Sequence, residues 1–367
     1  MSRNPLLILG ELGQSPWYDF ITRDLVTSGE LDRLIAEDGL LGMTSNPTIF
    51  QKAVATSALY DQDIRNLTAL SMQPREIFET LAVHDVQAAC DAFLPAYRRT
   101  GGVDGLVSLE VDPTLARDTA GTITEARRLW AALNRPNAMI KIPGTAEGLG
   151  AITRCLSDGI NINVTLLFSV SRYEEVIEAF LKGLEERVAR GQPVDRLASV
   201  ASFFVSRLDG KIDPVLDAKG GLDALRGTAA IANACVAYAA FEKSIAGPRW
   251  QALAAHGAKV QRPLWASTST KDPKYPDVYY VEALIAKHTV NTLPPATFEA
   301  YKDHGKPVIR IREGIDAAPA QLAALKQAGI DLDEVTKTLE VEGVANFAKS
   351  YAELLAVIEH KAGALVG

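Results

Sequence analysis

Eight short apolar runs, each separated from the next by a longer stretch of helical periodicity, restrict this chain more than any other feature. The runs fall at 17–21, 40–44, 105–111, 138–142, 160–166, 197–203, 260–266 and 289–293. Strand, helix, strand in repetition is the signature of a parallel sheet, because parallel neighbours require a crossover between them. Several runs are almost free of polar residues, as strands covered on both faces must be, and eight is the number that closes such a sheet on itself. We therefore expect an α/β fold of the (β/α)8 TIM barrel type, with an open parallel sheet as the alternative.

The segments between the runs carry helical spacing. Ile64, Leu67 and Leu70 recur at intervals of three, and Val176, Ile177, Phe180, Leu181 and Leu184 mark one face. Two connections are too long for a single helix, which predicts helical insertions near 48–103 and 208–258. In the first, Pro74-Arg75-Glu76 opens a new helix, where the missing proline N–H costs nothing. A helical tail is expected near 315–365, with Phe347, Tyr351, Leu354 and Leu355 on one side. No low-complexity linker divides the 367 residues, so we expect one domain over 1–367.

Composition removes several function classes. With 38 Lys and Arg against 45 Asp and Glu the net charge is −7, which argues against a nucleic-acid binder while leaving room for a small anion in a focused cleft. Residues 1–10 are too short in their apolar core for a secretory signal, and no apolar stretch is read as spanning a bilayer, so a cytoplasmic protein is expected. Cys90, Cys155 and Cys235 lie far apart and outside any CxxC or CxxH pattern, and the five histidines show no HxxxH spacing. GxSxG, GxGxxG and GxxxxGK[ST] motifs are missing. No metal and no cofactor is expected.

The sharpest anomaly is Lys141 in Met139-Ile140-Lys141-Ile142-Pro143-Gly144, an ammonium inside an apolar run just before a turn. Burial favours the free amine, which attacks carbonyls to form a Schiff base, and the carboxyl ends of barrel strands are where active sites lie. The alternative is an ion pair that merely closes the barrel mouth. Glu110, in Ser108-Leu109-Glu110-Val111-Asp112-Pro113, alternates against Leu109 and Val111. It is read either as a proton relay through a water or as the partner of Lys141; Asp112 is read as a turn residue. Asp19 sits in the first run and is either a base for a hydroxyl proton or a helix cap. Asn46, before Pro47, is a turn residue and a candidate amide donor to a substrate hydroxyl. In Ile162-Asn163-Val164-Thr165 the alternation points Asn163 and Thr165 the same way, towards the barrel interior, either to hold a water for Glu110 or as a satisfied polar pair. Ser202 and Arg207 end the sixth run, and Ser267-Thr268-Ser269-Thr270-Lys271 follows the seventh. Hydroxyls beside single cations suit a phosphate.

Two of these segments carry a family resemblance. Gly42-Met43-Thr44-Ser45-Asn46-Pro47 and Met139-Ile140-Lys141-Ile142-Pro143-Gly144-Thr145-Ala146-Glu147-Gly148-Leu149 resemble, in that order, the two signatures of the transaldolases, and the resemblance runs from about Leu6 to Leu355. It implies a class I aldolase-type barrel, circularly permuted relative to other aldolases, that joins glycolysis to the pentose phosphate pathway. By the same carry-over Lys141 matches the imine lysine on the fourth strand, Asp19 the base for the C4 hydroxyl, and Glu110 the acid/base acting through a water held by Thr165. Asn46 and Asn163 match substrate-binding amides, and Ser202 and Arg207 match positions for the substrate's hydroxyl and phosphate ends. Many members carry an arginine after the seventh strand; here Lys271 stands in its place, a form associated with a longer bacterial subgroup, some of whose chains are fused to a phosphoglucose isomerase.

The resemblance implies transfer of a dihydroxyacetone unit from sedoheptulose 7-phosphate or fructose 6-phosphate to glyceraldehyde 3-phosphate or erythrose 4-phosphate. Small sugar phosphates are the expected partners, and the sequence leaves homo-oligomerisation open. Two rival readings are a fructose-6-phosphate aldolase, which releases dihydroxyacetone to water, and a barrel that binds sugar phosphates without turnover. Product analysis with and without an acceptor aldehyde separates the two enzymes, and sugar-phosphate binding without exchange would mark the third reading.

Overall fold

The computed structural model describes residues 3–366. Its strands are β1 Gln14–Tyr18, β2 Gly42–Thr44, β3 Leu106–Glu110, β4 Ala138–Pro143, β5 Ile162–Leu167, β6 Ser199–Phe204, β7 Arg262–Ala266 and β8 Thr289–Leu293. Each pairs in parallel with the next, and β8 returns to β1, placing Gln14 opposite Thr289 and Tyr18 opposite Leu293. The sheet is thus a closed (β/α)8 barrel in chain order, as the periodicity predicts. Every strand residue is buried, since helices cover the outside and packed side chains fill the inside.

Several expected runs start a residue or two before the ladder does. Leu40, Ile160 and Leu197 are buried but precede their strands, because hydrophobicity reports burial and burial begins before pairing. The first strand deviates the other way: it begins at Gln14 and ends at Tyr18, so 19–21 lies beyond it. Gln14 and Ser15 look like loop residues, yet both are buried and satisfied. Gln14 Nε2 donates to the Leu284 carbonyl (2.7 Å) and Thr289 Oγ1 (3.0 Å), and Arg262 Nη1 donates to Ser15 Oγ (2.7 Å). Arg262 also donates to the Val103 carbonyl (2.6 Å) and contacts Asp104 Oδ1 at 2.9 Å, forming a polar plug at the amino end of the barrel.

The loops at the opposite end run into helices through side-chain caps. Asn46 accepts from Ile49 N–H (3.0 Å), Thr145 from Gly148 N–H (3.0 Å) and Ser169 from Arg172 N–H (3.1 Å), each satisfying a donor that the first helical turn leaves free. Between β2 and β3 the chain adds Pro47–Thr56, Asp61–Ala69 and Pro74–Arg99, with Pro74 at the first turn as expected. Leu70 departs from the expected packing face: it follows the end of its helix and is 73% exposed. Between β6 and β7 lie Ser206–Lys219, Ala229–Ala246 and Pro248–Ala255. One segment, Asp223–Ala246, reaches the length and apolarity of a membrane span, contrary to the reading of the bare sequence. It is accounted for as a core helix: Ala230, Ala234, Cys235, Tyr238 and Phe241 are buried, and it packs on Ile311–Gln327.

The helical tail comprises Ile311–Gln327 and the final helix Leu332–Val366. The final helix packs against Pro47–Thr56, Ser206–Lys219 and β5, and so crosses the carboxyl end of the barrel. Gly343 makes that crossing close, since a β-carbon there would lie 3.0 Å from Leu166 Cδ2.

Candidate active site at the carboxyl ends of the strands

A cavity of about 360 Å³ opens at this end of the barrel. Its floor and walls include Thr44, Lys141, Thr165, Ser202 and Thr292, with Asp19 from just beyond β1. Asn46, Ser267, Ser269 and Lys271 come from the loops, Lys52 from the middle of the helix Pro47–Thr56, Arg207 from the start of Ser206–Lys219, and Phe347 from the final helix.

Lys141 is held by its neighbours on three sides. Its Nζ donates to the Ser45 carbonyl (3.1 Å), lies 3.6 Å from Glu110 Oε2, and faces the ring of Phe347 at 5.8 Å from the centroid. The side chain is 5% exposed. Pairing fixes its height: Lys141 lies opposite Glu110 on β3 and Asn163 on β5, and Gly144 N–H donates to the Thr165 carbonyl (2.7 Å).

At 3.6 Å the Glu110 contact is an ion pair without a hydrogen bond, and both carboxylate oxygens are buried with no hydrogen-bond partner among the described residues. Burial pushes this carboxyl up to about 7, against the opposing pull of the Lys141 charge, with Asp19 adding to the rise. Glu110 is not among the residues bordering the large cavity. It borders a smaller one with Asn46, Phe78, Asp112 and Tyr351. Thr165 Oγ1 is likewise buried and unpartnered among the described residues. Its position follows a break in the β5–β6 register, where Leu166 adopts a left-handed φ of 58°.

Asp19 is half-buried on the cavity wall, and its backbone N–H donates to the Leu293 carbonyl (2.9 Å), extending the β1–β8 ladder by one step. Thr44 Oγ1 donates to its Oδ1 (2.8 Å). The helix that follows is capped by Thr22, so the capping alternative for Asp19 does not apply. Asn46 caps the helix Pro47–Thr56 and borders the cavity. Asn163 points inward with Thr165 but sits deeper: its amide donates to Ser108 Oγ (2.9 Å) and accepts from Ser202 Oγ (2.7 Å). The cavity-lining residues do not include it; it holds Ser202, which does line the cavity. Asp112 caps a short turn and contacts Arg75 at 3.3 Å, a local role.

The β6 and β7 side of the mouth is cationic. Arg207 lies over the Phe204 ring (4.9 Å) and, among the described residues, forms no ion pair or hydrogen bond. Burial pushes its guanidinium below the usual arginine value, a cost that a docked anion would offset. Lys271 Nζ donates to Ser269 Oγ (2.9 Å), and Ser267 holds a left-handed φ of 56° while its hydroxyl meets that of Ser206 (3.1 Å). Among the described residues no group of three or more His, Cys, Asp or Glu is gathered as metal ligands.

Residues 16–358 match the family model described as Transaldolase/Fructose-6-phosphate aldolase. This chain belongs to that family. Among similar transaldolase-family proteins are ones named Transaldolase from Acidothermus cellulolyticus (52% identical, 97% of this chain and 96% of the relative) and Frankia alni (50%, 98% of each). Another with that name, from Trichodesmium erythraeum, is 48% identical over 98% of each chain.

The structure brings Lys141, Asp19, Thr165, Asn46, Ser202, Arg207 and Lys271 to one transaldolase-family cavity, with Glu110 against the lysine and Asn163 one layer beneath. Sequence reasoning missed Thr44, Lys52, the Ser45 carbonyl and Phe347. Thr44 and Ser45 lie within a motif already singled out, and Lys52 lies on the helix that follows it. Phe347 carries no such signal, because an aromatic in a helical stripe reads as packing.

Proposed function

We propose that the protein is a transaldolase that transfers a dihydroxyacetone unit between sugar phosphates through an imine on Lys141. The observation that carries this reading is the placement of Lys141 Nζ. It is buried at the carboxyl end of β4, 3.6 Å from Glu110, and borders a cavity with Arg207, which has no ion-pair partner among the described residues. The 48–52% identity to proteins named Transaldolase supports the same reading.

In this mechanism the amine attacks the C2 carbonyl of sedoheptulose 7-phosphate or fructose 6-phosphate. Glu110, poised near neutrality, passes protons through a water that Thr165 would help hold, since a buried water needs two to four polar partners. Asp19, oriented by Thr44, takes the C4 hydroxyl proton as the C3–C4 bond breaks. The electron pair passes into the iminium, which leaves an enamine on Lys141 and makes a metal unnecessary. An aldose phosphate then captures the enamine. Arg207 and Lys271 hold the phosphate end, while Asn46 and Ser202 position hydroxyls. The free, buried thiols of Cys90, Cys155 and Cys235 fit the reducing compartment of a cytoplasmic protein.

Borohydride reduction in the presence of labelled fructose 6-phosphate, followed by peptide mapping, tests the reading. Label is expected on Lys141, none in Lys141→Ala, and activity is expected to survive a chelator. Label on another residue overturns it. In Arg207→Ala, kcat/KM for phosphorylated donors is expected to fall about 10²-fold, with little change for unphosphorylated dihydroxyacetone donors.

A further inference from the structure

Phe347 reaches Lys141 from outside the barrel. Its ring centroid is 5.8 Å from Nζ, the residue is 5% exposed, and it borders the cavity. None of the steps above uses it. The helix that carries it is fastened on both sides of the mouth. On the β2 side Thr48 Oγ1 donates to Ser350 Oγ (2.8 Å), and Lys361 Nζ to Asp61 Oδ1 (2.8 Å) and the Ser57 carbonyl (2.9 Å). On the β6 side Lys211 Nζ meets Glu342 Oε1 at 2.7 Å. In an eight-stave barrel β2 and β6 stand opposite each other, so this span puts the ring over the reacting nitrogen.

Resting on the imine reading above, we propose that Phe347 is a specificity-determining residue that decides whether an aldehyde or solvent captures the lysine-bound enamine. The electron pair on the enamine carbon has two fates. In transfer it forms a C–C bond to the acceptor's carbonyl carbon, the carbonyl oxygen takes a proton, and the iminium is regenerated for hydrolysis with the new ketose. In loss the same pair takes a proton from solvent; water then adds to C2, the amine departs, and dihydroxyacetone is released. The apolar ring occupies space through which water would approach that carbon, and its face stabilises the cationic iminium on either side of the waiting state. The Arg207 cation, on the same cavity, would draw a phosphorylated aldehyde in from the β6 side.

The test measures dihydroxyacetone released per transfer event from fructose 6-phosphate in deuterated water, with borohydride trapping on Lys141 run in parallel. In Phe347→Ala the ratio of release to transfer is expected to rise about tenfold, with deuterium on the released carbon; Phe347→Leu, which keeps most of the apolar volume, is expected to rise less. Leu354→Ala removes buried apolar volume from the same helix outside the cavity lining, and because the Thr48, Lys211 and Lys361 fastenings stay in place it is expected to leave the ratio unchanged. Unchanged ratios in both Phe347 variants, or an equal rise in Leu354→Ala, overturn the inference while trapping still upholds the imine. If Phe347→Ala does not fold, Phe347→Leu decides alone. Lack of trapping in the unaltered protein overturns the imine reading and this one together.

Discussion

Glu110 shows how much chemistry one buried carboxyl can carry. Its ordinary value is 4.5, and burial raises it to about 7 in the folded protein. A carboxyl with a raised folded-state value contributes its full stability below about 4.5 and loses it as pH climbs through 7. Stability relative to Glu110→Gln should therefore fall as pH rises across that window, which denaturant titrations at a series of pH values will show. Activity should run the other way. If ionised Glu110 draws the first proton, kcat/KM rises with a limb near pH 7. In Glu110→Gln that limb should vanish and the rate drop roughly 10²–10⁴-fold. At this scale the sequence was informative wherever a polar residue interrupts an apolar run, as Lys141 and Glu110 do. Asn163 was legible in direction but not in depth, because alternation tells which way a side chain points and not which layer it occupies. Phe347 was illegible: its meaning comes from a lysine two hundred positions earlier in the chain, and an aromatic on a helix is most simply a core residue.

Strands and helices were legible for a plain reason: a barrel stave is buried on both faces and its crossover helix on one, and these leave different periods. The misplacement of β1 has an equally physical cause. Gln14 and Ser15 are polar residues inside the barrel, and their partners Leu284, Thr289 and Arg262 lie more than two hundred residues away. Close packing between staves and their covering side chains yields its own prediction. A β-carbon on Gly42 would come within 2.4 Å of the fully buried indole of Trp17, which has no room to withdraw. Gly42→Ala should cost about 1–3 kcal/mol by overpacking, read as a lower denaturant midpoint with an unchanged slope.

The whole molecule divides its labour between the two ends of the barrel. At the amino end, Arg262 meets Asp104, Ser15 and the Val103 carbonyl, a paired plug at the opposite end from Lys141. Replacing it leaves Asp104 without its buried cation. Arg262→Met should lose roughly 3–5 kcal/mol of stability, while the folded fraction still forms the reducible adduct on Lys141 at the unaltered rate. At the carboxyl end, Glu110 and Thr165 have side-chain oxygens with no hydrogen-bond partner among the described residues, and two non-glycine residues, Leu166 and Ser267, are held in left-handed conformations beside the cavity.

The strands follow chain order all the way round, and the seam where β8 meets β1 joins partners 275 positions apart. While a ribosome is still extruding the segment after β7, both margins of the unfinished cylinder stay bare, each a template for adhesion to another nascent copy. The hazard of misassembly is thereby concentrated into the interval before Thr289–Leu293 emerges, when a holdase chaperone would do the most good.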